Sequence, residues 1–93
     1  MSFVVTTQTT KKLQEKHGVT LDEIRQCFAS RTGKYLIDAR EDHKTDPPTM
    51  WFVAETDYGR LLKVVFIQKG ADIVIKTAYP ANIEEIRIYG KYS

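Results

Sequence analysis

The sequence predicts an α+β domain: an antiparallel sheet of about four strands, with two helices before it and one after it. Three observations carry this expectation. Stretches 50–56, 60–67 and 73–79 are rich in β-branched and aromatic residues and follow one another through short glycine-containing links, the pattern of an antiparallel meander. Two capping-box pairs, Thr20 with Glu23 and Asn82 with Glu85, each open an apolar run at helical spacing. Ninety-three residues with 42% hydrophobic content make one domain, residues 1–93, with a core one layer thick.

Taken in order, residues 3–5 (FVV) suit a short edge strand. Thr6, Thr7, Thr9 and Thr10 each offer an N-cap to a short polar helix over TTKKLQEKHG, with Leu13 as its anchor. Gly18 stops that helix, because glycine takes the left-handed C′ conformation without cost. Thr20 opens the next helix, and Val19 and Ile24 occupy the two positions of a hydrophobic staple. Leu21, Ile24 and Phe28 recur at helical spacing with Cys27 on the same side, so Cys27 reads as a small core residue rather than a nucleophile. The SRTG stretch, 30–33, closes the helix.

Residues 34–40 follow as a strand, with Tyr35, Ile37 and Ala39 on one face and Leu36, Asp38 and Arg40 on the other. EDHKTDPPT is a charged loop whose two prolines rule out a central strand there. In the meander, alternation places Phe52, Ala54, Leu62, Val64, Phe66, Ile73 and Ile75 on one apolar face. Trp51, Val53, Glu55, Lys63, Val65, Val74 and Lys76 fall on the other, which is half apolar and half charged. The register of the second hairpin is open. A Lys69-Gly70 turn sets Lys63 opposite Lys76, a like-charge pair; a Gly70-Ala71 turn pairs Lys69 with Asp72 and sets Lys63 against Ala78. Both registers keep the two lysines on one face. Glu55 faces Lys63 if the DYG link carries a glycine bulge. After the extended Pro80, Asn82 caps a last helix whose buried stripe is Ile83, Ile86 and Tyr89 and whose stop is Gly90.

The formal charge is +2 and the pI about 8.7, a mild excess that permits an RNA or acidic partner without requiring one. The excess is local: within 60–79, Arg60, Lys63, Lys69 and Lys76 stand against Asp72 alone. A single cysteine excludes an intramolecular disulfide and a thiolate metal cluster within one chain, as fits a reducing compartment. The MSFVVTTQTT start has no apolar run long enough for a signal peptide or a membrane span, so a cytoplasmic location with no membrane partner is expected.

His17 and His43 are the only histidines and show no metal-ligand spacing, so no metal site is expected. His17 lies in the last turn before Gly18, where a cation suits a helix C-terminus. Neither G-x-G-x-x-G nor G-x-x-x-x-G-K-[ST] occurs, and no cofactor is expected. Asp38, Glu55, Glu84 and Glu85 offer carboxylates and Tyr79, Tyr89 and Tyr92 offer phenols, but spacing selects no pair; a cap role already explains Glu85. The basic hairpin is more informative. Arg60, Lys63 and Lys76, with Trp51 on the face of the two lysines, suit a phosphate backbone with a base stacked on an aromatic ring. RNA cleavage needs no metal where charge is stabilised at the scissile phosphate and a base stands near the 2′-hydroxyl. The half-basic face is expected to lie open, away from the helices, as a surface for RNA, protein or both. The plain alternative is that its lysines only keep the sheet soluble.

The phrases KHGVTLDEI, GRLLKVVFI and IKTAYPANIEEIRIY resemble the BrnT-type toxins, small partners in bacterial type II toxin–antitoxin pairs with a RelE-like ribonuclease fold. The family's K-x-G-V turn matches Lys16, Gly18 and Val19; its G-R-x-L strand matches Gly59, Arg60 and Leu62; its glutamate and tyrosine four apart match Glu85 and Tyr89. Tyr79, after Thr77 and Ala78, stands where the family phrase usually has arginine, and Arg87 is the only arginine of the last helix. The resemblance implies a RelE/BrnT-like fold and a metal-independent ribonuclease. Arg60, Lys63 and Lys76 would bind phosphate, Tyr79 would sit at the scissile position and Arg87 would neutralise charge. It also implies an antitoxin partner, commonly a dimeric DNA-binding repressor. Two other readings stand beside it. One is a non-catalytic protein-interaction module of the same fold, its oligomeric state open. The other follows the HGVT, TDPPT, AETD, GR-LKVVFI and KTAY phrases, which resemble short proteins described as ADP-ribosyl-(dinitrogen reductase) hydrolases.

Overall fold

A computed structural model describes residues 2–38 and 47–93. Their elements are β1 (Ser2–Val4), α1 (Thr7–Lys12), a π-helical turn (Leu13–His17), α2 (Leu21–Ser30), β2 (Leu36–Ile37), β3 (Thr49–Glu55), β4 (Leu61–Lys69), β5 (Asp72–Pro80) and α3 (Ile83–Tyr92). The fold is α+β, and the described strands form one sheet in the order β1-β5-β4-β3-β2. The expected meander is β3, β4 and β5. The sheet differs from the expectation in having five strands and in being mixed, because β1 adds to the edge of β5 in parallel, with Ser2 beside Asp72 and Val4 beside Val74. Ala39, Arg40, His43 and the charged stretch 41–46 lie outside the described residues.

Local signals account for the helix ends. The Thr6 side chain accepts from the Thr9 backbone N–H. Gly18, with φ of 59°, donates to the Gln14 carbonyl, and Val19 N–H reaches the Leu13 carbonyl at 3.0 Å. Thr20 and Glu23 form a reciprocal capping box, with Val19 and Ile24 buried beside it. Asn82 and Glu85 form a second. Gly90 does not stop α3, which runs on to Tyr92.

One face of the sheet holds Phe52, Ala54, Leu62, Val64, Phe66, Ile73, Ile75 and Ala78, with Leu13, Ile24 and Cys27 from the helices above it. Phe28 presents its ring to Phe52 at 4.7 Å and to Phe66 at 5.3 Å. Full burial of a side chain such as Phe52 contributes about 2–3 kcal/mol. Cys27 lies inside this layer, its Sγ 3.6 Å from the Ala54 carbonyl oxygen. Burial first, and then Glu23, push its thiol up to about 11. Cys27 is therefore expected to resist alkylation in the native protein at neutral pH and to react at once in denaturant, which a mass-spectrometric labelling time course measures.

Two long-range features depart from the expected arrangement. The β4–β5 turn is Gly70-Ala71, with Lys69 opposite Asp72, but a bulge follows: Val65 pairs with Thr77 while Phe66 pairs with Ile75. Lys76 is the extra residue. It shifts the partner of Lys63 from Ala78 to Tyr79, and it separates Lys76 from the face of Lys63. Glu55 lies opposite Leu61, not Lys63.

The second sheet face is also not open. α3 lies across it, turning Glu85, Ile88 and Tyr89 inward, while Ile83 is 85% exposed and Ile86 37% exposed. The stripe of Ile83, Ile86 and Tyr89 is therefore corrected to Glu85, Ile88 and Tyr89. The physical cause is specific pairing: Tyr89 meets Trp51 with ring centroids 5.9 Å apart, and Glu85 reaches Lys63 at 3.0 Å.

Candidate functional site

β1 pairs with only the first residues of β5, so among the described residues the rest of that edge has no strand partner. α1 and the π-helical turn contact β5 there. This brings His17 to Tyr79, with ring centroids 5.6 Å apart. The bulge at Lys76 has meanwhile placed Tyr79 beside Lys63. Tyr79 donates its hydroxyl to Glu85 Oε2 at 2.7 Å, and Lys63 Nζ stands 3.0 Å from the same oxygen. Four side chains from the π turn, β4, β5 and α3 thus form one chain of contacts: His17, Tyr79, Glu85 and Lys63.

Glu85 is the hub. Its other oxygen accepts the Asn82 backbone N–H at 3.0 Å, so the cap role expected of it is kept. Burial works to raise its pKa, but the Asn82 N–H, the Tyr79 hydroxyl and Lys63 outweigh that effect and hold the carboxyl below its ordinary range. The ammonium of Lys63 also lies 4.5 Å from the Trp51 ring centroid and 5.8 Å from that of Tyr79.

Beside this chain opens a cavity of about 160 Å³, lined by Thr9, Lys12, Leu13, Lys16, His17, Lys76 and Thr77. Lys12 and Lys16 are four residues apart on the helix side, and Lys76 comes from the bulge. Among the described residues, none of these three lysines has an ion-pair partner. Three uncompensated cations around one small concavity repel one another, and a bound anion relieves that repulsion.

The residues expected at an RNA site have separate fates. Lys76 and Tyr79 join the cavity and the contact chain. Lys63 joins the chain but is 8% exposed and paired with Glu85, so it is not offered to solvent as a phosphate ligand. Trp51 is 9% exposed beneath Tyr89, which leaves no open ring face for a base. Arg60 donates to the carbonyls of His17 and Gly18, both at 2.8 Å, and to Glu23 Oε2 at 3.3 Å. It closes the end of the π turn and so positions His17, satisfying carbonyls the turn leaves bare. Arg87 lies on the far side of α3, paired with Glu84 at 2.5 Å and away from the other members. Nothing in the sequence pattern gives His17 or the second contact of Glu85 a place in this site. The signal for His17 was only its place before Gly18, which says nothing of β5.

Among the described residues, no three of His, Cys, Asp and Glu stand together as a metal-ligand group, and no helix is long and apolar enough to cross a membrane. No protein-family model matches the chain, and no curated protein matches it.

Proposed function

We propose that this chain acts on RNA as a metal-independent endoribonuclease of the RelE/BrnT-like toxin class. The observation that carries the reading is the cationic cavity of Lys12, Lys16 and Lys76, with His17 at its wall and Tyr79 directly behind. In this reading the three lysines hold the scissile phosphate and offset charge as it develops on the phosphoryl oxygens. The imidazole of His17 takes the 2′-hydroxyl proton and later returns it to solvent; the 2′-oxygen bonds to phosphorus; the bond from phosphorus to the 5′-oxygen breaks. Tyr79 protonates the departing 5′-oxygen and regains a proton from solvent, leaving a 2′,3′-cyclic phosphate and a 5′-hydroxyl. Lys63 and Glu85 hold the Tyr79 hydroxyl in place. The resemblance adds an antitoxin partner; finding a ribbon-helix-helix protein encoded in the neighbouring reading frame would support that part.

The test is incubation of the purified chain with RNA in the presence of a metal chelator, with end-group analysis of the products. Cleavage to cyclic-phosphate ends is expected, and His17→Ala and Lys76→Ala are expected to slow it about 100-fold while circular dichroism stays unchanged. Intact RNA with folded wild-type protein, or equal rates in the variants, overturns the proposal. A second reading, a non-catalytic interaction module, is favoured by one observation: Ile83 stands almost bare on α3. It is supported by a stable protein partner whose capture is indifferent to Lys76→Ala. The hydrolase reading is decided by a direct assay on ADP-ribosyl-arginine with and without magnesium.

A further inference from the structure

We infer that a cleft between the end of α2, the open edge of β3 and the flank of α3 is a binding site for a small organic amine, a primary ammonium carried on an apolar or aromatic body. β2 pairs with β3 only at Met50 and Trp51, so among the described residues the edge of β3 beyond Trp51 has no strand partner. A cleft of about 420 Å³ opens there. The end of α2 supplies Ser30 to it, α3 supplies Ile86 and Tyr89, and the β3–β4 hairpin supplies Val53, Glu55 and Leu61. Val53 and Tyr89 are buried, and Ile86 and Leu61 are about two-thirds buried, so an apolar body placed here is covered by side chains already in position. The cleft shares no lining residue with the lysine cavity at the β5 edge.

Charge selects the occupant. Glu55 is the only charged residue among the described residues that line the cleft, and none of the ion pairs among the described residues includes it. The basic residues of the same hairpin are committed elsewhere: Lys63 holds Glu85, and Arg60 holds Glu23. Directly opposite Glu55 on β4 stands Leu61, which brings no charge. α3 brings none either. Its Glu84, Arg87 and Lys91 follow at spacings of three and four along one side, while Ile86, Tyr89 and Gly90 line the cleft from another. α2 ends at Ser30 with no basic residue in its last turn, so the negative end of its dipole also lacks a counter-charge. An ammonium in the cleft answers both. Backbone alternation adds an acceptor. The Thr49 carbonyl on this edge takes the Asp38 N–H, and the Glu55 carbonyl takes the Ser30 hydroxyl at 2.7 Å. The Val53 carbonyl, on the same edge by alternation, is left for the ligand. A peptide strand suits the edge less well, because β3 ends at Glu55 and offers it only Val53 and Glu55. An anion is repelled by Glu55, and a neutral apolar body leaves that carboxylate without a partner.

Titration of the purified chain with phenethylamine, followed by backbone amide NMR shifts, tests this, with phenethyl alcohol and phenylacetate as the neutral and anionic probes. Saturable shifts centred on Val53, Glu55, Leu61 and Ile86 are expected with phenethylamine, at an affinity at least about tenfold above that of either other probe. Glu55→Gln keeps the shape and removes the charge, and is expected to weaken phenethylamine at least about tenfold. Leu61→Lys places an ammonium of the chain's own opposite Glu55, and is expected to do the same. Both side chains are exposed, and a dispersed amide spectrum shows that each variant is folded. Absence of saturable shifts up to about 20 mM phenethylamine overturns the inference. So does equal affinity for the three probes, a set of shifts centred on the lysine cavity or on the outer side of α3, or undiminished binding in Glu55→Gln.

Discussion

Replacing Lys63 with alanine is expected to destabilise the domain by about 3 kcal/mol, measured by urea unfolding. Lys63 sits in central strand β4, with its ammonium between Glu85 and the Trp51 ring. Its removal strands the Glu85 carboxylate in a site where 14% of that side chain is exposed, and it leaves a gap under α3. Lys63→Met keeps the aliphatic stem against Trp51 and so separates the charge from the packing. Combining Lys63→Met with Glu85→Gln is expected to recover much of the loss, because neither charge is then left alone. A change of under about 0.5 kcal/mol in Lys63→Ala contradicts this and marks the pair as solvent-screened. The same pair sets an acid response. Glu85 has its folded pKa lowered from an ordinary 4.5, so its contribution is fully present above that value and is lost as pH falls through the folded pKa. Wild type is therefore expected to lose stability more steeply than Glu85→Gln as pH drops below 4.5.

Tyr89→Ala is expected to cost about 3–4 kcal/mol and to loosen α3 from the sheet. Tyr89 is the largest buried side chain α3 contributes, and its ring lies tilted at 50° over Trp51. Without it, Trp51 gains water on the face that Tyr89 covers. Trp51 is the only tryptophan, so its emission reports directly on the lid: a red shift is expected in the native variant. Tyr89→Phe keeps the ring contact and is expected to change stability by less than about 1 kcal/mol. If Tyr89→Ala unfolds at the wild-type midpoint with unshifted emission, the Tyr89–Trp51 contact does not hold α3 to the sheet.

Much of the fold was legible in the amino-acid pattern, and the parts differ in kind. Thr20 with Glu23, Asn82 with Glu85, and Gly18 all act within one helical turn, so their residue types suffice to announce them. The alternation in β3 and β4 sorts Phe52, Ala54, Leu62, Val64 and Phe66 onto one face because a strand's period is short and strict. The last helix was recognisable by the same means, but its buried face was not. Ile83 and Ile86 are more apolar than Glu85, and hydrophobic periodicity alone turns the helix the wrong way. An ion pair with Lys63 and a ring contact with Trp51, both distant in sequence, turn Glu85 and Tyr89 inward instead.

The candidate site follows the same division. Two of the hairpin's basic residues, Arg60 and Lys63, are ion-paired with Glu23 and Glu85, while Lys76 and Tyr79 are legible as polar groups of the hairpin. Their neighbours were not legible, because one extra residue at Lys76 inverts every side chain after it relative to β4. That single bulge gives Lys63 the company of Tyr79 and sends Lys76 to the β5 edge, where the π-helical turn brings His17. The sequence by itself determined the α+β class, the meander and the capped ends of the helices, all of which rest on contacts a few residues apart. Only the tertiary structure decided that the second sheet face is roofed by α3 and that a histidine, a tyrosine, a glutamate and a lysine meet. Strand register and helix rotation are settled by pairings across the whole chain, and no local pattern carries them.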